Sequence, residues 1–143
     1  MSALVEIDVA GVPAPQGSKR HVGNGVMLES SKKVKPWRAA VAAEAERQSF
    51  EAWPFVTVAV WFRLKRPKSH YRTGRYAHLL KDTAPAFPAR YPDLDKLCRS
   101  TLDALRMGGA FKDDAQVVKL HAYKVYAGQG EEPGALIRVA SAL

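Results

Sequence analysis

Five of the chain's seven aspartates fall between positions 93 and 114: Asp93, Asp95, Asp103, Asp113 and Asp114. Carboxylates brought to one point repel each other unless a cation joins them. Pro92-Asp93-Leu94-Asp95 opens a helical pattern. Two residues apart on a helix are about 200° apart, so Asp93 and Asp95 converge only with Asp93 at the N-cap and Asp95 in the first turn. The positive end of a helix favours both charges. Asp113-Asp114 follows the Gly108-Gly109 turn and precedes a strand pattern, so a chain reversal there is expected to return this pair to Asp93 and Asp95. Such a site suits Mg²⁺, which takes a few carboxylates and completes its shell with water and phosphate oxygens. The plainer reading makes Asp93 an N-cap and Asp95-Arg99-Asp103, at i, i+4 and i+8, a surface ion-pair ladder.

The remaining charge points the same way. In 143 residues, 22 Lys plus Arg against 14 Asp plus Glu give +8. Residues 17–92 hold 15 bases against 5 acids, whereas residues 93–143 are neutral with 7 of each. A basic half suits a polyanion, nucleic acid above all. Candidate phosphate contacts are Lys19, Arg20, Lys32, Lys33 and Lys35, with Lys65, Arg66, Lys68, Arg72 and Arg75. His21, His70, His78 and His121 lack zinc-ligand spacing, and no Walker loop, nucleophile elbow or dinucleotide fingerprint is present, so no nucleotide cofactor is expected. One cysteine, Cys98, excludes an internal disulfide and fits a reducing cytoplasm. The longest nearly apolar run, Phe55 to Phe62, falls far short of the roughly 20 residues of a membrane span. The N-terminus lacks the form of a signal peptide.

The elements that must hold these residues follow from periodicity. Val5, Ile7 and Val9 alternate with Glu6 and Asp8 as a half-buried strand, ended by Gly11 to Gly17. Ser18 to Gly25 reads as a basic loop or hairpin. Lys35-Pro36-Trp37 starts a helix running to about Phe50. Phe55 to Leu64 is apolar on both faces, as in a strand of a sheet covered on both sides. Lys65 to Pro92 is a connection of 28 residues with seven bases interleaved with Tyr71, Tyr76, Phe87 and Tyr91. That composition suits either a nucleic-acid surface or a solvated loop. Leu94 to Leu105 forms an amphipathic helix, Val117 to Tyr126 a strand, Gly128 to Gly134 a turn and Ala135 to Val139 a final strand. The order β-α-β-α-β-β implies one domain over 1–143, of α+β class, with a single mixed sheet of about four strands and two main helices.

The motifs Pro92-Asp93-Leu94-Asp95-Lys96-Leu97, Leu102-Asp103-Ala104-Leu105 and Phe111-Lys112-Asp113-Asp114-Ala115-Gln116-Val117 resemble those of the RusA-type Holliday junction resolvases, small endonucleases of bacteria and their phages. Gly11-Val12-Pro13-Ala14-Pro15-Gln16-Gly17-Ser18 resembles the family's opening after its first strand. The resemblance implies a homodimer in the cytoplasm of a bacterial or phage-infected cell. It also implies cleavage of phosphodiesters dependent on Mg²⁺ (Mn²⁺ substituting), with branched DNA, four-way junctions above all, as substrate. Asp93, Asp95 and Asp114 match the family's acidic metal-site residues, and Asp113 neighbours the third. Arg99 stands where a lysine is frequent. Its guanidinium can clamp a phosphate and stabilise developing charge but is a poor proton donor, which leaves proton donation to water on the cation. The alternatives are a broader nuclease of flaps and forks, or a basic DNA-binding module whose aspartates are caps. In all three cases affinity for DNA is expected to fall steeply as salt rises, measurable by fluorescence anisotropy over a salt series. An affinity flat in salt would overturn the assignment of the basic half.

Overall fold

The computed structural model describes residues 4–17, 19–21, 27–29 and 32–143, with only the backbone course given for 19–21 and 27–29. Strand β1 (Val5–Ala10) is followed by a short antiparallel hairpin of β2 (Lys19–His21) and β3 (Met27–Glu29). Helix α1 (Val34–Glu46) leads to β4 (Val56–Leu64), and α2 (Leu94–Met107) leads to β5 (Val117–Tyr126) and β6 (Gly134–Ser141). The large sheet has the order β1-β6-β4-β5. β6 runs antiparallel to both β1 and β4, while β4 and β5 are parallel and joined through α2. The sheet is therefore mixed, as expected, with β1 and β5 at its edges.

Alternation places the core. Val5, Ile7 and Val9 of β1, Val56, Val58, Val60 and Phe62 of β4, and Ala135, Ile137 and Val139 of β6 all point to the helices. α1 answers with Trp37, Val41 and Ala45 at i, i+4 and i+8, and α2 with Leu97, Cys98, Thr101, Ala104 and Leu105. The Trp37 indole Nε1–H donates to Thr101 Oγ1 at 3.1 Å inside this core, which satisfies a buried donor and fixes the two helices in register. α1 starts three residues before Trp37, with Pro36 in its first turn, and ends at Glu46 rather than Phe50.

One expectation fails at β4. It is fully buried only on alternate residues: the helices cover one face of the sheet, and the residues of the other face are half-buried. On that other face Trp61 stacks on Tyr123 with ring centroids 5.3 Å apart, and Arg138 lies over Trp61. Arg138 pairs with Glu6 at 2.7 Å, and Arg63 with Asp8 at 2.7 Å. The apolar run reflects aromatic stacking between neighbouring strands rather than a second layer. The connection 65–92 is folded rather than a bare loop. It carries 3₁₀ turns at Lys68–His70 and Gly74–Tyr76, and a Tyr71–Leu80 bridge closes its arm.

α1 and α2 approach closely where α2 ends. A Cβ built on Gly108 would lie 2.6 Å from Ala45 Cβ and 2.7 Å from the Ala42 carbonyl oxygen. Gly108→Ala is expected to part the helices and cost about 1–3 kcal/mol in urea unfolding, the usual range for overpacking. An unchanged midpoint would show that this contact is not close in solution.

Candidate active site

The N-terminal end of α2 carries the first part of the site. Asp93 occupies the N-cap in extended conformation (φ −71°, ψ 138°), yet its side chain makes no capping hydrogen bond. Its carboxylate is 60% exposed, and its one ion pair among the described residues is a loose contact with Lys96 at 3.7 Å. Asp95, exposed in the first turn, forms no ion pair among the described residues. A purely structural N-cap would accept from the helix's first amides; Asp93 leaves its oxygens turned to solvent. Arg99 lies one turn on, beside the segment that follows β1. That segment is held to α2 by Gln16 N–H donating to the Lys96 carbonyl at 3.1 Å and by Ser100 Oγ donating to the Ala14 carbonyl at 2.6 Å. Gly17 (φ +99°) admits the Arg99 guanidinium, which a Cβ there would overlap. Buried behind Asp95, the Cys98 thiol is pushed up to about 11, first by burial and then by the Asp95 charge, so it stays protonated and inert.

The C-terminal end of α2 carries the second part. Asp103, 17% exposed, pairs with Arg38 of α1 and accepts from Arg106 Nη2 at 2.6 Å. That hydrogen bond, more than the Coulomb attraction, raises the Arg106 pKa. Arg106 Nε also stands 3.7 Å from Asp114 Oδ1. Asp113 and Asp114 divide their roles. Asp113 accepts from the Ala115 amide at 2.9 Å, and Gln116 Oε1 accepts from the Asp113 amide at 3.1 Å, a closed capping box at the turn before β5. Asp114 makes no such bond. Its pKa is raised, first by burial, with Arg106 opposing and the charges of Asp103 and Asp113 adding.

The two parts do not meet within one chain. Asp114 sits beside Asp103 and Arg106, and the eight residues from Asp95 to Asp103 span about 12 Å of helix axis. Among the described residues no group of three or more His, Cys, Asp and Glu side chains could hold a metal ion. The expected return of Asp113-Asp114 to Asp93 and Asp95 therefore does not occur in the single chain. The reason is that α2 runs unbroken for 14 residues before the Gly108-Gly109 reversal. What the chain alone offers a hard cation is the exposed pair Asp93 and Asp95. Two carboxylates with room for water and phosphate oxygens fit Mg²⁺.

The basic candidates are similarly sorted. Lys32, Lys33, Lys35, Lys65, Lys68, Arg72 and Arg75 are exposed. Arg66 is half-buried and braces the 65–92 segment: its guanidinium lies 4.0 Å from the Tyr126 ring centroid and donates to the Pro85 carbonyl at 2.8 Å. Arg72 donates to the Leu80 carbonyl at 3.2 Å, and Arg75 lies over Tyr76. The side chains of Lys19 and Arg20, and residues 23–25, lie outside the described residues. Lys33, Lys65 and Arg90 rim a cavity of about 290 Å³ walled by prolines, Tyr91 and Tyr126, next to Asp93.

Sequence reasoning missed Asp103 as the half-buried hub between Arg38 and Arg106, and it missed Lys124. The available signal for Lys124 was a lone cation in the strand row that faces the helices. No helix among the described residues is long and apolar enough to cross a membrane.

A carboxyl whose pKa is raised by folding contributes stability below its ordinary range and loses it as pH rises through the raised value. Asp114→Asn is therefore expected to raise the thermal midpoint at neutral pH, with the gain shrinking as pH falls into the carboxylate range. Because the Asp114 side chain is half exposed, the gain is expected to be small, and a variant clearly less stable than wild type at pH 7 would contradict the raised Asp114 pKa.

A model of the family Endodeoxyribonuclease RusA matches residues 8–140, nearly the whole chain. No curated protein matches it.

Proposed function

The chain belongs to the RusA endodeoxyribonuclease family, and from that premise we propose that it resolves four-way DNA junctions by divalent-cation-dependent hydrolysis, as a homodimer. The observation that carries this reading is the Asp93–Asp95 pair at the start of α2, neither carboxylate engaged in capping, with Arg99 one turn on.

Asp93 and Asp95 would hold Mg²⁺, with Mn²⁺ able to replace it. The bound cation supplies charge neutralisation at the scissile phosphate and a more acidic water beside it. Arg99, kept near the site by the Gly17 approach, grips the phosphate and stabilises the charge that develops as the bond breaks. The exposed bases Lys32, Lys33, Lys35, Lys65 and Lys68 attract the backbone of each arm without reading sequence.

Asp114 stands beside Arg106 of the last turn of α2, at the other end of the helix from Asp93 and Asp95 of its own chain. We assign it to the site of a second copy, so that each of two sites is completed across the dimer. A two-fold dimer also suits the substrate, since symmetric nicking needs two sites related by such an axis. The unpaired edge of β5, where Val118, Leu120 and Tyr123 are exposed, is the surface we assign to the contact.

Replacing Asp95 by Asn is expected to abolish Mg²⁺-dependent cleavage of a four-way junction, by roughly 10²-fold or more, with junction binding kept. Binding and cleavage both unchanged would remove Asp95 from the site. A wild type that binds branched DNA and never cuts it with Mg²⁺ or Mn²⁺ would favour a binding module. Equal cutting of flaps, forks and junctions would favour the broader nuclease.

Mixed dimers separate a shared site from a self-contained one. Neither Asp93→Asn nor Asp114→Asn is expected to cut alone. Mixed together, they form heterodimers in which one site regains both native carboxylates, so single nicks reappear. If mixing restores nothing while the two variants exchange subunits, Asp114 does not act across the dimer.

A further inference from the structure

The row of β5 that faces the helices holds Leu120, Ala122, Lys124 and Tyr126, in register with Val58, Val60, Phe62 and Leu64 of β4. Only Lys124 in these two rows is charged. An ammonium placed on the covered face of a sheet loses hydration, and an apolar side chain would suit the row better unless the cation has partners. Lys124 has two. Its Nζ donates to the Arg90 carbonyl at 2.8 Å and to the Pro92 carbonyl at 2.9 Å. Both acceptors belong to the last residues of the 65–92 connection, and Pro92 directly precedes Asp93.

The Asp93 main chain is thus held from both sides. Behind it, the Leu97 amide donates to the Asp93 carbonyl at 3.0 Å as the first helical bond. Ahead of it, Lys124 fixes the Pro92 carbonyl. The usual third restraint, a side-chain cap, is missing at Asp93. With no cap to orient it, the direction in which the Asp93 carboxylate leaves the helix is set by the path of residues 90–92, and Lys124 holds that path to the sheet.

We propose that Lys124 is a positioning residue for the Asp93–Asp95 site: through the carbonyls of Arg90 and Pro92 it fixes the chain at the start of α2, so that the two carboxylates meet one divalent cation. The proposal rests on the reading that Asp93 and Asp95 hold that cation. Lys124 touches neither the cation nor the DNA in this role. Its effect passes through two hydrogen bonds, as with outer partners that orient metal ligands, whose loss costs about 10–100-fold in metal affinity.

The test uses the full-length chain with Lys124→Met, which keeps the length of the side chain and removes its donors, and Lys124→Arg, which keeps donors for both carbonyls. Mn²⁺ affinity is measured by calorimetry without DNA, amide exchange over residues 90–97 by mass spectrometry without metal, and junction affinity without metal by anisotropy. For Lys124→Met, Mn²⁺ affinity is expected to fall about tenfold and exchange at residues 93–97 to quicken, with junction affinity unchanged. Lys124→Arg is expected to restore most of both. Wild-type Mn²⁺ affinity in Lys124→Met overturns the proposal. So does a loss that Lys124→Arg shares in full, or one accompanied by faster exchange throughout β5, either of which marks a purely structural lysine. Should Lys124→Met fail to fold, unaltered Mn²⁺ affinity in Lys124→Gln, with one donor group left, overturns it equally. Failure of the underlying reading looks different: Asp95→Asn would then bind Mn²⁺ as wild type does.

Discussion

Everything at the candidate site depends on how α2 buries itself. Leu97, Cys98, Thr101, Ala104 and Leu105 lie against the sheet and α1, and the Trp37–Thr101 hydrogen bond fixes the helix's rotation. Turning the helix to expose Thr101 would strand a buried indole N–H, a cost of about 1–3 kcal/mol. With that face committed, Asp95, Arg99, Asp103 and Arg106 are left toward solvent or toward α1. Asp93 and Asp114 are carried to opposite ends by the unbroken length of the same helix. One packing decision thus sets both what the site exposes and what a single chain cannot assemble.

The segments around α2 divide the remaining work. The Pro-rich stretch after β1 lies along the helix through Gln16 and Ser100, and Gly17 opens space for Arg99. The 65–92 connection is tied down by Arg66 against Tyr126 and by Lys124 at its end, so it delivers the chain to Asp93 in a defined place. On the far side of the sheet, Glu6 and Asp8 neutralise Arg138 and Arg63. Cations there are balanced locally, whereas residues 17–92 as a whole hold 15 bases against 5 acids. On the proposed function, that surplus is what would draw a phosphate backbone.

Aspartates close in sequence illustrate how differently identical side chains are used. Asp113 closes a capping box with Gln116, Asp103 is held between two guanidinium groups, and Asp93 occupies a cap position without capping. Asp114 is partly desolvated beside like charges, with Arg106 as its one cation. Gathering like charges in this way costs some stability, an exchange common where charges serve a function.

By itself the sequence determined the strand and helix order, the amphipathic face of α2 and the candidate carboxylates, because alternation and helical spacing are local properties of neighbouring residues. Residue type and spacing over 92–117 also carried the resemblance to the family. Local rules could not say that the aromatic run of β4 would be only half-buried on one side, since Trp61 finds Tyr123 only once β5 lies beside it. Nor could they separate Asp113 as a cap from Asp114, or show Lys124 reaching to Pro92, 32 positions away in the chain. The largest such decision was distance: the turn after α2 looked able to bring Asp114 back to Asp93. Only the packed helix, unbroken over 14 residues, shows that about 12 Å of its axis stands between the two clusters.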